Sequence, residues 1–287
     1  MTDPYIWLLM EERPHPRPLL KLLTILSEKG CRVVFDGTQV EVLPVMKGKL
    51  FTYEYVLSGV EVNKNPVRIR IVKGISSFVD CLVYEKFEAP TEKDTPLLVV
   101  EITKTSPYES RNTSVAQRAT KFAIAIIRFP DSQMVYLIDS AKAPINKKLP
   151  ESYVWSARAL ATLGVKTLSD QGQFPPFISV EEFLESKNKI KSPPKGNVAT
   201  EIIPINENLI KICARLNKNE TLSHDPNIGF VSLAASVLRK LGYGGKIVIS
   251  NHQLPSDHVF TGRSKIESVA DTYKFVFDGI QTVPVKK

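Results

Sequence analysis

Leu97-Leu-Val-Val-Glu101-Ile-Thr-Lys104 is a short apolar, β-branched run that closes on an acid and a base. A continuous apolar run of this length reads as a strand covered on both faces, the kind found inside an α/β sheet. Upstream, Phe78-Val-Asp80-Cys-Leu-Val83 has the same character and also carries a carboxylate. An acidic side chain in apolar surroundings costs free energy unless it is paired or binds a metal. Two of them, set to meet across neighbouring strands, make a plausible Mg²⁺ site. Mg²⁺ takes hard oxygen ligands, usually one or two carboxylates, and shares the rest of its shell with water and phosphate. Such an ion activates water and stabilises charge on a phosphodiester. A nearby lysine adds positive charge at the attacking water or the scissile phosphate.

Working outward, strand-like runs precede this pair and a helix follows it. Cys31–Phe35, Val40–Val45, Phe51–Val62 and Val67–Lys73 are β-branched or aromatic, and Asp36-Gly37 is a tight-turn pair between the first two. Val67–Lys73 alternates Val-Arg-Ile-Arg-Ile-Val-Lys, one face apolar and one basic. With Ser77–Tyr84 and Pro96–Lys104 these make a set of strands. The chain opens with a helix, its first turn at Pro18 and its apolar face on Leu19, Leu20, Leu22, Leu23 and Leu26, ending near Gly30. Beyond Lys104, Asn112 or Thr113 caps a helix with an apolar face of Ala116, Ala119, Phe122, Ala123 and Ile126 or Ile127. Its polar side carries Gln117, Arg118 and Lys121, and the turn before it carries Glu109, Arg111 and Asn112. A helix start beside a metal offers backbone N–H groups to a phosphate, and Arg111, Arg118 and Lys121 lie near spacings that share a helix face. The bland alternative is a capped amphipathic helix with a solvated charged face.

Further on, Met134–Ile138 reads as a strand, and Leu160–Val165 and Val180–Leu184 as parts of short helices. Lys187–Asn197, KNKIKSPPKGN, is basic, Pro-rich and aperiodic, the composition of an exposed linker or loop. After it the pattern is helix over Asn206–Leu216, helix over Phe230–Leu241, strand over Lys246–Ser250, then a helix near Ser264–Ala270 and a strand near Tyr273–Phe277. The expected organisation is therefore an α/β core over 1–187, a linker at 188–200 and a smaller α/β region over 201–287. In that last region Asn251-His252-Gln253 follows a strand, and Arg263 and Lys265 come shortly after. Asn, Gln and Arg are the residue types that read base edges, and Arg and Lys hold phosphates. A polar surface loop is the competing reading there.

Composition limits the rest. The 287 residues carry a formal net charge of +8, which favours a nucleic-acid partner through phosphate neutralisation and counterion release, though many basic proteins bind none. The longest apolar run, Phe122–Ile127, falls far short of the ~20 residues that span a bilayer. The three cysteines, Cys31, Cys81 and Cys213, have neither CxxC spacing nor an even count. A disulfide framework and a zinc site are therefore not indicated, and a reduced, cytoplasmic protein is expected. Phosphate-loop, dinucleotide-fold, zinc-protease and serine-hydrolase motifs are absent.

Asp80, then about twenty residues, then Glu101 and Lys104, followed by a helix, resemble the PD-(D/E)XK nuclease superfamily. The segment Glu101–Phe122 is similar to stretches of type II restriction endonucleases. The resemblance covers about residues 74–138. It implies a mixed central sheet flanked by helices, Mg²⁺ dependence, and hydrolysis of double-stranded DNA leaving 5′-phosphates. It makes Asp80, Glu101 and Lys104 the catalytic set, with Asp80, Glu101 and the backbone carbonyl of Ile102 holding the metal. Duplex cleavage by such enzymes usually needs a two-fold homodimer, and a separately encoded DNA methyltransferase is the expected partner. Two departures stand out. Val79 replaces the proline before the first carboxylate, and two residues rather than one separate Glu101 from Lys104. In a regular strand Glu101 shares a face with Thr103 while Lys104 faces away. Either a bulge near Thr103 restores Lys104 to the metal side, or Ile102 occupies the usual acidic position, or Thr103 takes the place of the lysine. A repair or structure-specific nuclease and a catalytically inactive DNA-binding protein are the competing functions.

Overall fold

The structure is a computed structural model that describes residues 3–72, 79–103, 114–139, 149–169, 172–190, 200–214, 226–251 and 280–283. By its contacts the chain divides into two compact units, Met1–Lys104 with Phe129–Asp139, and Thr105–Arg128 with Ser140–Lys287. The division does not fall at 188–200, where a linker was expected.

The first unit contains β1 (Tyr5–Met10), α1 (Pro16–Glu28), β2 (Val33–Phe35), β3 (Glu41–Lys47), β4 (Leu50–Val62), β5 (Asn65–Ile71), β6 (Cys81–Lys86), β7 (Leu98–Thr103) and β8 (Gln133–Ile138). Its strands form a mixed sheet in the order β2-β4-β5-β1-β6-β7-β8, with β3 also paired to β4. β1 runs parallel to β5, and β7 parallel to β8; the remaining pairs are antiparallel. The α/β class and the mixed central sheet agree with the sequence reading. β1 does not appear in that reading, which begins with the helix. Yet Tyr-Ile-Trp-Leu-Leu-Met lies in the middle of the sheet, and Ile6, Trp7, Leu8 and Met10 are buried. A six-residue apolar run without alternation carries little periodic signal of its own; its place between two strands and the burial of four of its six residues explain its composition.

The registers align whole rows across the sheet. Glu54, Arg70, Leu9, Leu82, Val99 and Met134 stand side by side on one face. Ile71, Met10, Cys81, Val100 and Val135 form a row on the other, and every one of them is 8% exposed or less. That second row is purely apolar. Helix α1 has Pro16 and Pro18 in its first turn, where the missing N–H groups have no intrahelical acceptor anyway. Leu19, Leu22, Leu23 and Leu26 recur at helical spacing and are buried. Arg17 pairs with Asp139 at 3.3 Å, Lys21 donates to the Ile138 carbonyl at 3.2 Å, and the far end of α1 meets β2. The helix therefore runs across the sheet from β8 toward β2.

Two turns need particular backbone chemistry. Gly48, at the first position of the two-residue β3–β4 turn, has φ +64°. Gly59 lies where the β4–β5 register shifts, with φ +79°, and a Cβ there would sit 2.9 Å from the Gln39 carbonyl oxygen. Gly59→Ala is expected to cost roughly 2 kcal/mol or more, since backbone strain and a backbone clash add. A urea unfolding midpoint within error of the parent would count against this.

Between β6 and β7, Asp94 accepts from the Thr91 N–H at 2.7 Å and the Thr91 hydroxyl at 2.8 Å, and pairs with Lys86. These bonds, that from Lys86 foremost, hold its carboxyl at a pKa of about 2. The loop that joins the two carboxylate-bearing segments is thus pinned by an ionised aspartate.

The second unit contains α2 (Ser114–Arg128), α3 (Glu151–Thr162), β9 (Lys166–Leu168), α4 (Val180–Asn188), β10 (Thr200–Asn206), β11 (Leu209–Ala214), α5 (Pro226–Lys240), β12 (Lys246–Asn251) and β13 (Ile280–Val283). β10 to β13 form a four-stranded sheet in that order, with β10 and β11 antiparallel. The helix expected over Asn206–Leu216 is instead the second half of this β10–β11 hairpin. Leu209, Ile210, Ile212 and Cys213 satisfy helical spacing as well as strand alternation, and Asn206-Glu-Asn208 supplies the turn, with Asn206 accepting from the Asn208 N–H at 2.9 Å. The β-branched residues at 210 and 212 pack inward as a strand would have them. α5 packs against α2, α3, β10 and β11. Trp155 anchors the core of this unit, stacked 9° from parallel on Phe230 at 5.0 Å and flanked by Phe183 at 4.9 Å and Phe177 at 6.2 Å. Among the described residues no helix is long and apolar enough to cross a membrane. The helix and strand expected near Ser264–Ala270 and Tyr273–Phe277 lie outside the described residues.

Candidate functional site

The β6–β7 ladder pairs Cys81 with Val100, Leu82 with Val99 and Val83 with Leu98. Asp80 lies in the bend just before β6. Extended one step past its last pair, the register would bring Asp80 beside Glu101, and a pleat continued to both would put the two carboxylates on one face of the sheet. Asp80 is held on either side. Its backbone carbonyl accepts from the Glu11 N–H at 3.4 Å, past the end of β1. Its Oδ2 accepts from the Ile102 N–H at 2.6 Å, a charge-assisted bond across to β7.

Glu101 is 1% exposed and lies between Asp80 and Tyr136 of β8, which is itself buried. Asp80 is half-buried. Its Oδ1 keeps no other partner among the described residues. In an extended strand the N–H and C=O of one residue point toward the same neighbour. The Ile102 N–H points at Asp80, so its carbonyl points that way too, past the last pair of the β6–β7 ladder. Hard oxygens from Asp80, Glu101 and the Ile102 backbone are the donor types that Mg²⁺ takes. The donor chemistry therefore fits a cation of that kind. Among the described residues no group of three or more His, Cys, Asp or Glu side chains is close enough to form a metal cage. A site here would rest on two carboxylates, with backbone oxygen and water completing it.

Thr103 shares the face of Glu101 and is 1% exposed. Pairing of β7 with β8 is regular through Thr103↔Ile138, with no bulge up to that residue. Of the three alternatives for the spacing, a bulge within β7 up to Thr103 is not found. Lys104, like Arg111 and Asn112, lies outside the described residues, as do His252, Gln253, Arg263 and Lys265. Asn251 is the last residue of β12, in register with Ala214. Arg118 and Lys121 are one turn apart on α2; Arg118 is half-buried and Lys121 only 8% exposed, so Lys121 meets little solvent.

Sequence reasoning passed over Glu11. The β1–β6 register, extended one step past Met10↔Cys81, sets Glu11 beside Asp80 on the side away from β7. The signal was present: Tyr5–Met10 is a third apolar run that closes on a carboxylate. It also passed over Asp139, whose N–H donates to the Thr103 carbonyl at 2.8 Å and whose carboxylate takes Arg17. Cys81, adjacent to Asp80, is fully buried, and burial first, then the Asp80 charge, pushes its thiol pKa far up. It is a core residue and not a nucleophile. No family model, no curated protein and no solved structure matches the chain.

Proposed function

We propose that the chain is a Mg²⁺-dependent endonuclease of double-stranded DNA, of the type II restriction kind within the PD-(D/E)XK superfamily, in which Asp80 and Glu101 hold the metal. One observation supports this above the others: the Asp80 carboxylate reaches across to β7 at the residue next to Glu101, accepting from the Ile102 N–H at 2.6 Å. When bound, the metal supplies an activated water and charge neutralisation at the scissile phosphate. The protein's part is positional. The Ile102 N–H fixes the Asp80 carboxylate, which leaves one oxygen directed to the cation. Glu101, on a strand held by β8 through Tyr136, presents a nearly dehydrated carboxylate, whose attraction for a cation is stronger than it would be in water. The Ile102 carbonyl offers a neutral oxygen at the same strand end. Lys104 follows directly and is assigned to the attacking water or the phosphate. Hydrolysis leaves 5′-phosphates, and cutting both strands calls for a homodimer. The separately encoded methyltransferase partner, the roles of Arg111, Asn112, Arg118, Lys121, Asn251, His252, Gln253, Arg263 and Lys265 on DNA, and a cytoplasmic location belong to the same proposal.

A second reading is a DNA-binding protein without catalysis. The regular pairing of β7 through Thr103 favours it, because a lysine one residue beyond an unbulged strand starts on the wrong side of the sheet. Digestion of phage DNA with and without Mg²⁺ separates the two. The first reading expects discrete fragments that need Mg²⁺ and vanish in Asp80→Ala. A smear, or cuts only at branched substrates, would point to a repair or structure-specific nuclease. An Asp80→Ala protein that still cleaved would end the site assignment, and no product under any condition would favour the inactive reading.

A further inference from the structure

The face that carries Asp80 and Glu101 continues across β1 and β5 as a surface of arginines laid on aromatic rings. Val56, Arg68, Trp7 and Tyr84 form one row, and Glu54, Arg70, Leu9 and Leu82 the next, on the side of the proposed site. The Arg68 guanidinium lies 3.9 Å from the Tyr5 ring centroid and 5.1 Å from that of Trp7; Arg70 lies 5.4 Å from Trp7. The two arginines are engaged differently. Arg70 donates through Nε at 3.1 Å and Nη2 at 2.6 Å to Glu54, so its charge is largely matched. Lys86, in register with Tyr5, is matched by Asp94. Arg68 has no carboxylate partner among the described residues and is half-buried.

A guanidinium over ring faces uses its π surface and leaves its in-plane N–H fork unspent. The rings also hold it in place, so little side-chain freedom is lost when the fork takes a second ligand. A planar cation of that kind, half-exposed and preorganised, is suited to a tetrahedral oxyanion. Sheet spacing gives its relation to the carboxylates. Arg70 is two strands from β6 and two residues short of Asp80, which puts its Cα about 12 Å from that of Asp80; for Arg68 the figure is about 16 Å. The Arg68 guanidinium leans onto Tyr5, at the end of β1 away from Asp80, so the side chain does not shorten that interval. The separation suits a phosphate flanking a bond at the carboxylates, not the same phosphate.

The geometry points to Arg68 as a phosphate anchor, with Tyr5 and Trp7 as its platform, gripping the sugar-phosphate backbone of the nucleic acid a short way from the bond at Asp80 and Glu101. The inference rests on the nuclease reading for its ligand class. The net charge of +8 agrees with a polyanionic partner. The contact is to backbone, so it adds affinity without base preference.

The test is fluorescence anisotropy of the full chain on a labelled duplex in EDTA, titrated at several NaCl concentrations. One lost phosphate contact should lower the slope of log K against log salt by about one, and weaken binding roughly five- to tenfold at 0.1 M salt. Arg68→Gln is expected to do both. Arg68→Lys, which keeps the charge but not the fork, should retain most of the slope and lose part of the affinity. Thermal midpoints of each variant report whether the sheet is intact. An Arg68→Gln protein that melts like the parent and binds with unchanged slope overturns the anchor, whatever Asp80→Ala does to cleavage. A changed slope with no Mg²⁺-dependent cleavage keeps the anchor and removes the nuclease reading. Loss of affinity without change of slope assigns Arg68 to packing on Tyr5 and Trp7 and also overturns it.

Discussion

Glu101→Gln is expected to lower Mg²⁺-dependent DNA cleavage by roughly 10³-fold or more, the equivalent of about 4 kcal/mol of transition-state stabilisation. The substitution is nearly isosteric, so the β7 backbone and its neighbours stay where they are. What changes is charge. A carboxylate that is 1% exposed faces little competing water, and under the proposed function its contribution to holding a divalent cation would be correspondingly large. The amide keeps an oxygen but carries no net charge. A second readout needs no turnover. Saturating Mg²⁺ should raise the thermal midpoint of the parent protein, since a ligand at about one hundred times its Kd stabilises by about 2.7 kcal/mol. The Glu101→Gln protein should show no such rise. A variant that cleaved at the parental rate, or whose midpoint still responded fully to Mg²⁺, would remove Glu101 from the metal site.

Trp155→Ala is expected to destabilise the second unit by about 3–5 kcal/mol, the usual cost of deleting a fully enclosed large aromatic. Trp155 is 3% exposed, stacks on Phe230, contacts Phe177 and Phe183, and donates through Nε1 to the Phe183 carbonyl at 3.4 Å. It thereby joins α3, α4 and α5, and truncation leaves a cavity that three rings must relax into. At this chain length the loss corresponds to a fall in thermal midpoint on the order of 10 °C. Trp155→Phe keeps the stacking and loses one hydrogen bond, so it should cost about 1 kcal/mol beyond the change in ring size. A Trp155→Ala protein that melted within 2 °C of the parent, a limit set at about the shift for 1 kcal/mol, would refute the assignment of this residue as the core anchor.

The candidate site was legible to the extent that its residues announce themselves by chemical incongruity. Asp80 and Glu101 are carboxylates at the end of apolar runs, and that mismatch is visible in a one-dimensional string. Glu11 carries the same mark and went unread because the run before it, Tyr5–Met10, lacks alternation and stands at the chain's start. The C-terminal hairpin was misread for a related reason. Leu209–Cys213 satisfies both periods, and only the pairing of β11 with β10 and β12 chooses between them. Arg68 and Arg70 were visible as the basic half of an alternating strand. Nothing in that strand says that the basic half is on the side of Asp80, or that one arginine is matched by Glu54 while the other rests on Tyr5 and Trp7.

Composition and local pattern by themselves determined the α/β class, most strand positions, the α1 and α2 helices and the two carboxylates, because burial and backbone preference act residue by residue. Register was left to the tertiary structure. A slip of one residue between β6 and β7 would send Asp80 and Glu101 to opposite faces, and no property of either strand alone forbids it. That choice is made collectively, by β1 hydrogen-bonding β6 on its other side and by the Ile102 N–H reaching Asp80. Strand order is equally non-local: the earliest strand lies inside the sheet, between β5 and β6, and no local pattern announces those partners.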